Sequence, residues 1–77
     1  MKGDNTMDNF IKTEYVQKDY IGEYTIVKTA YFNPIHIVEV NLEEAYMLVI
    51  DGTDVKNRFV KLTEYGVRQI RDYLELR

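Results

Sequence analysis

The chain has 77 residues, no cysteine, seven tyrosines and three phenylalanines, with 13 acidic against 10 basic side chains and a formal charge of −3. That length supports one small domain, which buries only about 60% of the surface its unfolded form exposes. Disulfides and cysteine-based zinc sites are excluded. No run reaches the roughly 20 apolar residues that span a bilayer, and residues 1–9 lack a signal peptide's apolar core. A soluble, cytoplasmic domain with no membrane partner is the expectation.

Residues 1–9 are polar and hold Gly3, Asp4, Asn5, Thr6, Asp8 and Asn9. They offer too little apolar area to offset ordering and read as a flexible tail, with residues 10–77 as the single domain. Residues 10–21 fit a helical face through Met7, Phe10, Ile11 and Tyr15, or an alternating strand through Ile11, Thr13 and Tyr15. Thr13, Tyr15 and Val16 favour the strand, and Gly22 closes it. Residues 24–32 are dense in β-branched and aromatic side chains and read as a second strand.

Asn33-Pro34 interrupts the pattern, because proline cannot donate to a ladder. Residues 35–40 resume as a strand, residues 41–44 turn, and residues 46–50 form a strand apolar on both faces. A loop from Asp51 to Asn57 leads into a last strand over residues 58–62. Short links favour antiparallel neighbours in a meander. After Thr63 the period changes: Val67, Ile70 and Leu74 fall three and four apart, the stripe of a helix. Thr63 suits its N-cap and Glu64 its first turn. Gly66 weakens such a helix by about 1 kcal/mol relative to alanine, and either permits close approach to a strand or has no role. The fold class is α+β: a four- to five-stranded antiparallel meander with one C-terminal helix packed on one face.

Alternation gives more apolar faces than one helix can cover. Tyr24, Ile26, Ala30 and Phe32 take one side of their strand while Val27 and Tyr31 take the other. Curling of the sheet, residues 10–21, a second copy or another protein could cover the second face. An exposed apolar patch of more than a few hundred Å² marks an interaction site.

Catalytic equipment is sparse. His36 is the single histidine, and the GxSxG, HExxH and GxxxxGK[ST] patterns are absent. Asp51-Gly52-Thr53-Asp54 echoes the start of a calcium loop, but the later acidic ligands are missing, so it reads as a solvated turn. No metal or cofactor is expected, and the chain reads as a non-enzyme. Its expected activity is protein–protein contact, as a regulator or inhibitor of a larger partner, with homodimerisation and a phage-like or mobile-element flavour to the composition. The expected contact residues are Tyr24, Tyr31, Phe32 and Tyr46, since tyrosine buries its ring while its hydroxyl stays wet. Glu39, Glu43 and Glu44 would form an acidic rim facing a basic partner. The alternative is a dimeric single-stranded nucleic-acid binder using Lys56, Arg58, Lys61 and Arg68 beside tyrosines.

The region around residues 58–67, Arg-Phe-Val-Lys-Leu-Thr-Glu-Tyr-Gly-Val, resembles two families, each over about 20 residues. One is the winged-helix repressors, in which a wing strand enters a VxLTxxG helix start. The strand-rich region before Asp51 leaves no room for their helix-turn-helix. The other is the small transcriptional coactivators, dimeric single-stranded-DNA binders with four strands and a helix. Val67, Ile70 and Leu74 stand four, seven and eleven positions after Thr63, as in that layout. The earlier strands lack that family's basic, aromatic-rich pattern. Membership of neither family is claimed.

Overall fold

A computed structural model describes residues 10–50 and 57–75. The expected tail over residues 1–9, most of the loop after Ile50 and Lys56 lie outside the described residues. Five strands, β1 (Ile11–Lys18), β2 (Tyr24–Phe32), β3 (Ile37–Asn41), β4 (Tyr46–Ile50) and β5 (Asn57–Leu62), precede one helix, α1 (Glu64–Glu75). All pairs are antiparallel, in the order β2-β1-β5-β4-β3. The α+β class holds, and residues 11–18 are strand. The sequential meander does not: β3, β4 and β5 run as one, whereas the β1–β2 hairpin joins through β1 beside β5. Short loops favour neighbours in sequence, but they do not say which edge a second hairpin joins.

The β1–β2 turn is built by Asp19. Its carboxylate accepts from the Ile21 and Glu23 amides at 3.0 and 2.9 Å and from the Thr25 hydroxyl at 2.7 Å. The bond from the Glu23 amide, then that from Thr25, holds the Asp19 carboxyl below its ordinary pKa, against a small opposing effect of desolvation. Gly22 supplies the left-handed residue at φ 93°. After β2, Pro34–His36 form a short 3-10 helix instead of extending β3, and the Asn33 side chain accepts from the Ile35 amide.

Ile11, Phe32, Met47, Val49, Val60, Leu62 and Ile70 form the core, with Val67 and Tyr73 packed against it. Two irregularities decide which side chains reach it. A register shift opposite Gln17 and Lys18 pairs Tyr24 with Lys18, on the face opposite Ile26. A second shift, between Ile37 and Glu39, brings both Ile37 and Val40 opposite the core residues Val49 and Met47. Simple alternation along residues 24–32 and 35–40 puts Tyr24 with Ile26, and Ile37 opposite Val40.

The helix begins where Thr63 caps it, its hydroxyl accepting from the Gly66 amide at 2.9 Å. That hydroxyl also donates to the Glu14 carboxylate at 2.6 Å. The Gln69 side chain accepts from the Glu14 amide at 2.7 Å, so α1 closes the edge of β1 at this point. Its Gly66 lies against the Glu14 carbonyl oxygen, leaving no room for a β-carbon.

Candidate binding surface

With α1 and the core on one side, the sheet's other face stays open. One cross-strand row runs through all five strands as Val27, Val16, Lys61, Tyr46 and Asn41. The next row carries Phe59, Leu48 and Glu39, and Tyr31 stands opposite Lys12 nearer the far end of β1. Val27 is 59% exposed, and Tyr31 and Phe59 are 50% exposed. These values are high for apolar and aromatic side chains grouped on one surface.

Polar contacts order this face. The Tyr46 and Phe59 rings lie 5.2 Å apart at 32°, and the Tyr46 hydroxyl donates to Glu39 at 3.1 Å. The ammonium groups of Lys18 and Lys61 sit 5.5 and 5.9 Å from the Tyr24 ring centre. At these distances the negative ring face attracts both cations. A groove of about 280 Å³ opens beside Tyr24, lined by residues that include Lys18, Arg58, Phe59 and Val60.

The expected contact residues separate into three groups. Tyr24, Tyr31, Tyr46 and Glu39 lie on the open face. Phe32 does not: it is 9% exposed, its ring edge-on to Tyr15 at 5.8 Å, because its alternation from Ala30 points it into the core. Glu43 and Glu44 project from the β3–β4 turn, and Glu43 shares a shallow depression with Arg68 and Arg71 of α1. The acidic rim is therefore split, since Glu39 is engaged by Tyr46. Of the alternative set, Lys61 approaches Tyr24 on the open face, Arg58 lines the groove from the other side of β5, opposite the core residue Val49, and Arg68 sits near Glu43, away from both.

Lys18, Val16 and Phe59 complete the open face and were not singled out from the sequence. Their membership depends on the β1–β5 pairing, which no local pattern encodes. His36 is exposed in the 3-10 helix and not part of the strand expected over residues 35–40. Among the described residues, no three His, Asp or Glu side chains converge where they could hold a metal ion. No described helix is long and apolar enough to cross a membrane. No protein-family model matches the chain, and neither does a curated protein or a solved structure.

Proposed function

We propose that the chain is a non-enzymatic binding module that engages a protein partner through the open face of its sheet, as a regulator or inhibitor. The observation that carries this reading is the exposed grouping of Tyr24, Val27, Tyr31 and Phe59 on the face that α1 leaves uncovered. Burying such side chains releases about 25 cal/mol per Å² of apolar area, and aromatic residues dominate contact energetics. A second copy of the chain is one such partner, because β2 is a nine-residue edge strand whose single charged residue is Lys28.

A specific observation favours a second reading. Lys18 and Lys61 over Tyr24, with Arg58 in the adjoining groove, form the combination of cations and rings that single strands of nucleic acid use. A salt titration against labelled oligothymidylate separates the two. Tight binding that falls steeply with salt supports nucleic acid and contradicts the protein reading. No binding at low salt removes the nucleic-acid reading.

A further inference from the structure

The β1–β5 junction consists of only two residue pairs, Tyr15 with Leu62 and Val16 with Lys61. Beyond them the strands part at both ends, and the two ends are treated differently. Toward Glu14 the split is closed: the Gln69 side chain takes the Glu14 amide, and the Thr63 amide reaches the Glu14 carbonyl at 3.5 Å. That last bond fixes the phase of the ladder. Hydrogen-bonded positions alternate, so Glu14, Val16 and Lys18 of β1 direct their main-chain groups toward β5. By the same alternation Lys61 and Phe59 direct theirs toward β1.

At the other end Lys18 and Phe59 face the split but are not paired with each other. The groove beside Tyr24 lies there, and Gln17, Lys18, Phe59 and Val60 all line it. Backbone donors and acceptors left at a strand edge are a template for another extended chain. The side chains around the opening are cationic, Lys18 and Lys61 on the open face and Arg58 on the helix side, with no carboxylate among the residues that line the groove. This is a local excess of positive charge on a chain whose formal charge is −3.

We infer that the open end of the β1–β5 split receives an extended acidic segment of the protein partner. It hydrogen-bonds to the Lys18 and Phe59 main chain and sets its carboxylates on the open face against Lys18 and Lys61, while its alternate, apolar side chains turn to the other face of the sheet. This inference rests on the protein-contact reading of the open face and names the chemistry of the partner there. An extended peptide fits better than a nucleic-acid strand because it alone uses the unpaired main-chain edge; phosphates and bases would engage only the cations and rings.

The test uses the full chain and three labelled probes: a peptide of alternating glutamate and valine, its lysine–valine counterpart, and oligothymidylate. The glutamate–valine peptide is expected to bind and to slow amide exchange at Lys18 and Phe59. Lys18→Glu and Lys61→Glu should each weaken it by about tenfold, as should the lysine–valine exchange. Tighter binding of oligothymidylate overturns the inference, as does peptide binding without protection at Lys18 and Phe59. If no peptide binds, yet a captured partner still protects Val27 and Tyr31, the acidic-segment inference fails while the protein-contact reading stands.

Discussion

A β-carbon at Gly66 would collide with the Glu14 carbonyl oxygen, which is backbone and cannot swing aside. Gly66→Ala should therefore lower stability, by about 1–3 kcal/mol for a forced backbone shift. This opposes the roughly 1 kcal/mol that alanine gains in a helix. A raised urea midpoint in the variant would contradict the packing described. Thr63→Ala should cost about 1 kcal/mol or more, since it removes both the cap to Gly66 and the tie to Glu14. The same urea titration measures it. Asp19 makes a pH-dependent contribution. Its folded pKa is depressed, so the stabilisation is complete above the unfolded value, about 3.9, and is lost as pH falls through the folded value. The Ile21 and Glu23 amides should exchange faster as pH drops through that window, after correction for the intrinsic pH dependence of exchange. Asp19→Asn should flatten the change, and equal pH profiles in both proteins would contradict the assignment.

Four strands and a capped helix were legible because each has its own local cause, whereas residues 10–21 fitted a helical face as well as a strand. The β-branched run over residues 24–32, the Pro34 break and the change of period after Thr63 need no tertiary information. The faces were less legible, because a single bulge reverses the parity of every residue beyond it. The shift near Thr25 moves Tyr24 onto the open face, and the shift near Val38 turns both Ile37 and Val40 inward. Phe32 kept its expected parity, but that parity points it into the core. Docking of α1 depends on a pair remote in sequence, Gln69 and the Glu14 amide. Gln69→Ala should raise amide exchange at Glu14 with little change in the β3–β4 hairpin. Uniform loosening of the whole sheet would show instead that the contact is not local.

Across the whole molecule, both sides of the sheet carry both signs of charge: Lys12, Lys18 and Lys61 share the open face with Glu39, and Glu43, Glu64 and Asp72 lie on the turn or α1 with Arg68 and Arg71. Expected contact residues that share this face come from β2, β3 and β4, with the β1–β5 junction in between. That junction was not readable from residues 11–18 or 57–62 alone, because its two residue pairs join segments more than forty positions apart. The question left by the sequence, what covers the second face, is answered in part: no described element of the chain does so. Homodimerisation predicts a dimer mass by light scattering that Val27→Lys reduces to a monomer. A wild-type monomer at the concentration reached in the cell would leave the face to a different protein.

The most direct test of the open face as the contact surface is photo-crosslinking in the native cell. A photoreactive phenylalanine analogue is placed in turn at Phe59, Tyr31 and, on the helix side, Arg71. One common product is expected at Phe59 and Tyr31 and none at Arg71. A product at Arg71 with neither open-face position labelled would contradict the open-face assignment.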